Sequence, residues 1–152
     1  MAPGAAKFSK GQMANPDYAG MTVLVVDDID SVRLCLTAFL RTLGIRNVRE
    51  ARDGTAALQI LRGEKIDLVI SDLVMSPMNG LDLTRSLRQL EYALNRNAPV
   101  LMISGKTESD AVKNALQAGV TDFVSKPITP IDLAYRLKAL FAQGEAVLNL
   151  AG

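Results

Sequence analysis

Five residues, Asp27, Asp28, Asp72, Ser104 and Lys126, stand at the ends of short apolar runs. If those runs are neighbouring strands, the five side chains converge. Clustered carboxylates repel one another and raise each other's pKa unless a cation balances them. Three carboxylates with room for water and a phosphate oxygen suit Mg²⁺, which prefers a partly hydrated octahedral shell. A hydroxyl at Ser104 and an ammonium at Lys126 would then hold phosphoryl oxygens that Mg²⁺ does not reach. Singly, each has a plainer reading: a solvated strand-end aspartate, a loop-capping serine, a surface lysine. Their joint placement is what points to phosphoryl chemistry.

The elements that must position them follow from alternating apolar runs and helical patterns. Met21 to Val26 is unbroken and β-branched, as in a parallel strand buried on both faces. Asn47 to Ala51 is a weaker second strand, Ile66 to Ser71 a third, Pro99 to Ile103 a fourth and Thr121 to Ser125 a fifth. Val32, Leu36, Phe39, Leu40 and Leu43 recur at helical spacing, Cys35 is expected on the same inner stripe, and Gly44 is a stop signal. Thr55 to Leu61, Leu81 to Leu90 and Lys106 to Ala118 suit three further helices. The last helix has Thr129 as cap, Pro130 at its first position and Asp132 answering the free amides. Its expected apolar stripe is Ile131, Ala134, Leu137, Leu140 and Phe141. Five β–α units define an α/β fold with a doubly wound, five-stranded parallel sheet and five helices. In the flavodoxin-like order 2-1-3-4-5, strands 1 and 3 are neighbours and ligands sit at their carboxyl ends.

A chain of 152 residues, 49% hydrophobic, is one domain with a core that needs no disulfide or metal staple. Residues 1–20 carry Pro3, Gly4, Gly11, Pro16 and Gly20 with few large apolar side chains, and are expected to be a flexible tail. Residues 21–142 then form the domain and residues 143–152 a C-terminal extension. Seventeen basic side chains against sixteen acidic ones give no pull toward nucleic acid or anionic membrane. No apolar run approaches the roughly 20 residues of a membrane span. Residues 1–18 lack the apolar core of a secretory signal. The lone Cys35 cannot form an internal disulfide, and together these features fit the cytoplasm. The absence of histidine excludes His-based acid–base chemistry, His metal sites and a role as phosphohistidine donor.

Val25-Val-Asp-Asp28, Ser71-Asp-Leu-Val-Met-Ser-Pro-Met-Asn-Gly80, Met102-Ile-Ser-Gly105 and Phe123-Val-Ser-Lys-Pro127 together resemble the receiver domain of bacterial response regulators, nearest its stand-alone chemotaxis type. No single motif is decisive, but the ordered set is highly specific and spans about residues 21–142. The resemblance implies a phosphoacceptor at Asp72, its carboxylate acting as nucleophile. It implies Mg²⁺ held by Asp28, by Asp72, by the backbone carbonyl of Val74, and by Asp27 through water. Ser104 matches the switch hydroxyl, Lys126 the phosphoryl-pairing lysine and Phe123 the aromatic rotamer switch, although Phe123 also reads as core filling. The Lys126–Pro127 peptide is implied to be cis. Gly80 suits a close backbone approach after the Asp72 loop. Val74 and Lys106 flank the phosphoryl site and are expected to tune phosphoryl lifetime. One departure is Pro77, five residues past Asp72, where many family members have proline at the fourth.

A receiver is a phosphoacceptor that assists its own phosphoryl transfer and hydrolysis rather than an enzyme. Its implied partners are a histidine kinase or phosphotransfer protein upstream and a protein target downstream. No DNA-binding helix-turn-helix fits after the last strand, so output is expected by contact through the fourth helix, fifth strand and fifth helix (residues 106–141). Three rivals fare worse. A haloacid-dehalogenase-type phosphatase places its nucleophile in a DxD pattern after strand 1, whereas the candidate here follows strand 3. A flavodoxin-like cofactor binder would need a Ser/Thr/Gly-rich phosphate loop where this chain is acidic. A degenerate receiver, acting as a phosphorylation-independent binding module, usually lacks an acidic residue, the phosphoacceptor Asp or the Lys; all are present.

Overall fold

The computed structural model describes residues 18–91, 94–105 and 109–151. The expectations for residues 1–17 and for Lys106 lie outside them. Ten elements alternate: β1 (Thr22–Val26), α1 (Asp30–Thr42), β2 (Asn47–Ala51), α2 (Gly54–Gly63), β3 (Leu68–Asp72), α3 (Gly80–Arg88), β4 (Val100–Ser104), α4 (Ser109–Ala118), β5 (Asp122–Ser125) and α5 (Pro130–Ala151). The strands are all parallel, in the order β2-β1-β3-β4-β5.

Why the central runs are unbroken is visible in the packing. Val23 and Val25 point to the face covered by Leu36 and Leu40 of α1 and Leu133 and Leu137 of α5. Leu24 and Val26 point to the opposite face, under Leu58 and Leu61 of α2, Leu83 and Leu87 of α3 and Ala115 of α4. Successive strand residues face opposite sides, so a strand covered on both must be apolar at every position. β2 lies at the sheet edge and exposes Asn47, Arg49 and Glu50, which explains its weak apolar pattern.

Side-chain caps fix where three helices begin. Asp53 accepts from the Ala56 amide at 2.9 Å and Asn79 from the Asp82 amide at 2.8 Å. Thr129 Oγ1 accepts from the Asp132 amide at 3.1 Å, as its position in the sequence suggests. Gly44, with φ at 95°, closes α1 in the left-handed region.

Two expectations fail. Ile131 is 80% exposed, whereas Leu133 is fully buried. The inner row of α5 runs Leu133, Leu137 and then Leu140 with Phe141, and Ile131, two residues ahead of that row, projects the other way. Cys35 is exposed rather than core. The inward centre of α1 is Leu36, Thr37 and Leu40, which leaves Cys35 at the margin. No break in secondary structure marks residue 142: the backbone of α5 continues as helix to Ala151. Tyr18, expected in the tail, is half-buried against the α1/α5 side of the core.

Candidate phosphoryl site and metal centre

Strand register brings the chemistry together. Val26 pairs with Ser71, so the residues that follow, Asp27 and Asp72, leave neighbouring strands at the same height. Asp72 pairs with Ile103, which places Ser104 one step further on the other side. Ser104 pairs with Ser125, and the Lys126 amide donates to the Ser104 carbonyl at 2.8 Å. Carboxylate oxygens of Asp27, Asp28 and Asp72 all lie within 4.8 Å of one another.

Each group in the cluster has a distinct environment. The Asp72 carboxylate, 8% exposed, accepts from the Leu73 amide at 2.9 Å and faces Lys126 Nζ at 3.3 Å. Asp27, almost fully buried, accepts from the Ile29 amide at 2.9 Å and from Lys126 Nζ at 3.4 Å. Asp28 is exposed. Burial is the largest influence on Asp72 and pushes its carboxyl above the usual carboxylate value. The Lys126 ammonium pulls the other way, and the Asp27 charge adds to burial.

The donor set fits Mg²⁺. Two oxygens bound to one Mg²⁺ at about 2.1 Å stand at most about 4.2 Å apart. Oxygens already within 4.8 Å need only a small inward adjustment. All three are hard carboxylate donors, and the exposure of Asp28 leaves access for the water that Mg²⁺ retains. Lys126 alone offsets part of the negative charge, so a divalent cation relieves the remaining repulsion.

The connecting loops shape this cluster. Gly80 opens α3, and a Cβ there would lie 2.4 Å from the Asp72 carbonyl oxygen. Only glycine lets the loop return so close to the strand tip, and the Gly80 amide then donates to the Leu73 carbonyl at 2.9 Å. The Lys126–Pro127 peptide is cis, as the family resemblance implies. A second cis peptide, Ser76–Pro77, accompanies the shifted proline of the Asp72 loop. Val74 exposes its side chain beside Asp72 in that loop. Phe123 is partly buried against the α2–α4 side of the core, and Ser104 is buried.

Sequence reasoning passed over two features. A cavity of about 330 Å³ runs from Asp27, Asp72 and Lys126 between α1 and the turn Lys126–Ile128. Its walls are mainly apolar (Val32, Leu36, Phe39, Ile103, Ile128), and Cys35 lies on its rim. Arg33 is the other: Nη1 donates to the Asp27 carbonyl at 2.6 Å and Nε to Glu50 at 3.1 Å. The three-residue spacing of Asp30 and Arg33 on a helix was the available signal.

A wound parallel sheet with an acidic cluster at its switch point, a lysine opposite and a buried serine on the next strand define a receiver domain. The response regulator receiver domain family matches residues 23–138, and the chain belongs to that family. It is similar to the chemotaxis protein CheY of Pseudomonas aeruginosa, 37% identical over 121 residues, which span 80% of this chain and 96% of that one. CheY-3 of Vibrio cholerae is 36% identical, over 80% of this chain and 92% of its own length. Among solved structures, CheY4 of Vibrio cholerae superposes with a TM-score of 0.73 at 28% identity, covering 78% of this chain and 97% of that one. The receiver domain of a Pseudomonas aeruginosa sensor histidine kinase, solved with a magnesium ion coordinated in its active site cleft, gives 0.72 at 28% identity, over 80% of this chain and 97% of that one. The protein is thus a response regulator of two-component signalling. Receivers of this kind are non-catalytic signalling domains that work with histidine kinases or phosphotransfer proteins and with downstream targets. Among the described residues, no helix is long and apolar enough to cross a membrane.

Proposed function

We propose that this chain is a response regulator in which Asp72 accepts a phosphoryl group with the help of Mg²⁺ and thereby switches a protein-binding surface. The observation that carries this reading is the convergence of three carboxylates within 4.8 Å, with the Lys126 ammonium 3.3 Å from Asp72. Asp27, Asp28, Asp72 and the backbone carbonyl of Val74 would hold Mg²⁺, which when bound supplies charge neutralisation for the phosphoryl oxygens.

The chain's own residues do the rest. A carboxylate oxygen of Asp72 attacks phosphorus; the new O–P bond forms as the bond to the donor's leaving group breaks, and the leaving group keeps the electron pair. Lys126, held by Asp27 and Asp72, balances charge on the oxygens that develop it. The hydroxyl of Ser104 donates to a phosphoryl oxygen and draws the loop after β4 inward. Phe123 then turns into the vacated space, and the change reaches the face of α4, β5 and α5. Leu116 of α4 and Ile131 and Tyr135 of α5 expose large apolar surface, as suits a protein contact. The receiver unit is taken as residues 21–142. Its setting is the cytoplasm, its donor a histidine kinase or phosphotransfer protein, and its target a protein rather than nucleic acid or membrane. Likeness to chemotaxis proteins favours control of chemotaxis or a flagellar motor.

Intact-mass spectrometry after incubation with acetyl phosphate tests the chemistry. One phosphoryl adduct that requires Mg²⁺ and is absent from Asp72→Asn is expected. An unmodified wild-type chain with and without Mg²⁺ would instead indicate a phosphorylation-independent binding module.

A further inference from the structure

The three carboxylates are not anchored alike. Asp72 is fixed by the Leu73 amide and Lys126, and Asp27 by the Ile29 amide and Lys126. The exposed Asp28 carboxylate has no hydrogen-bond partner among the described residues, so the backbone leaving β1 sets its place. That backbone is gripped at one atom. Arg33 Nη1 donates at 2.6 Å to the Asp27 carbonyl oxygen, which belongs to the peptide joining Asp27 to Asp28.

The same guanidinium reaches one more element and the start of its own helix. Its Nε donates to Glu50 of β2 at 3.1 Å, and its Nη2 to Asp30 at the start of α1. The Arg33 side chain is only 13% exposed. A planar guanidinium with several fixed donors can serve three acceptors at once, which a lysine ammonium on a flexible stem does less rigidly. Asp30 and Glu50 also offset its charge, so a cation beside the acidic cluster does not repel a second cation within it.

We propose that Arg33 is a positioning residue for the Mg²⁺ centre: it fixes the Asp27–Asp28 peptide and so keeps the Asp28 carboxylate within reach of Asp27 and Asp72. This rests on the Mg²⁺ reading above. Outer contacts that orient metal ligands typically change affinity by about 10- to 100-fold when removed.

Isothermal titration of the full chain with Mg²⁺ tests it, comparing wild type, Asp28→Asn, Arg33→Met and Arg33→Lys well below their melting temperatures. Melting curves in chelator record the purely structural part of each change. Wild type should bind and Asp28→Asn should lose most of that binding. Arg33→Met should bind at least about tenfold more weakly, with Arg33→Lys in between. Arg33→Met with a lower melting temperature but wild-type Mg²⁺ affinity would overturn the inference and leave Arg33 a structural tie. Should Arg33→Met not fold, Arg33→Lys decides: weaker binding supports the proposal and unchanged binding overturns it. A wild type that binds no Mg²⁺ would overturn the metal reading itself.

Discussion

Asp72 sits under opposing influences, and the larger is burial, which holds its carboxyl above the usual range. A folded-state pKa raised in this way means that the folded chain binds the proton more tightly than the unfolded chain. The associated stability is present below the unfolded value and is lost as pH rises through the folded one. At neutral pH, ionised Asp72 therefore destabilises the metal-free fold. Asp72→Asn, neutral and of the same size, should melt higher than wild type at pH 7 in chelator, by about 2–4 °C per kcal/mol relieved. The difference should close as pH falls below the ordinary carboxylate value. An Asn variant that melts lower at pH 7 would refute the assignment of cause. The five residues with chemistry were legible because each ends an apolar run, and the parallel register then aligns them. Arg33 was not, because its contacts join α1 to β1 and β2, and only the fold brings these together. Cys35 departs from the expected stripe because helical spacing fixes the centre of a stripe more firmly than its margins.

At the level of elements, α5 separates what periodicity reveals from what packing decides. Ile131 and Leu133 are both apolar and both near the helix start, yet one is 80% exposed and the other fully buried. Leu133→Ala should cost about 2–5 kcal/mol in denaturant unfolding. Ile131→Ala should change stability by no more than about 0.5 kcal/mol. Similar costs for the two would mean that the helix is rotated from the packing described. The sequence cues that succeeded were local ones: the Thr129 cap, the Gly44 stop and the unbroken β1 run. The cues that failed needed the partner surface. β2 reads poorly because an edge strand buries little of itself. The Asp72 loop was only partly legible. Gly80 pointed to its close approach, but nothing in the residue types announced the cis peptide at Ser76–Pro77.

Over the whole molecule, one sheet separates two apolar cores, and the acidic cluster lies at its carboxyl edge between them. Two features adjoin the cluster, one on each side of the sheet. On one side lies the cavity between α1 and the turn after β5, next to Asp27 and Lys126. On the other lies Phe123 of β5, half-buried against the α2–α4 core and one strand over from the Ser104 strand end. The fold and the site together were readable because a wound sheet puts strand ends where ligands bind. Which side chains of α4 and α5 stand out, such as Leu116, Ile131 and Tyr135, was not readable, since that depends on packing.

Modification of Asp72 is expected to alter the distant face of α4, β5 and α5. Amide ¹H–¹⁵N spectra of the Mg²⁺-loaded chain, before and after acetyl phosphate, test it most directly. If the site and that face are coupled, shifts appear at Ser104 and Phe123, extend to Leu116 and Tyr135, are absent in Asp72→Asn and are curtailed in Ser104→Ala. Shifts confined to the strand tips around Asp27 and Asp72, or equal shifts in Asp72→Asn, would contradict it.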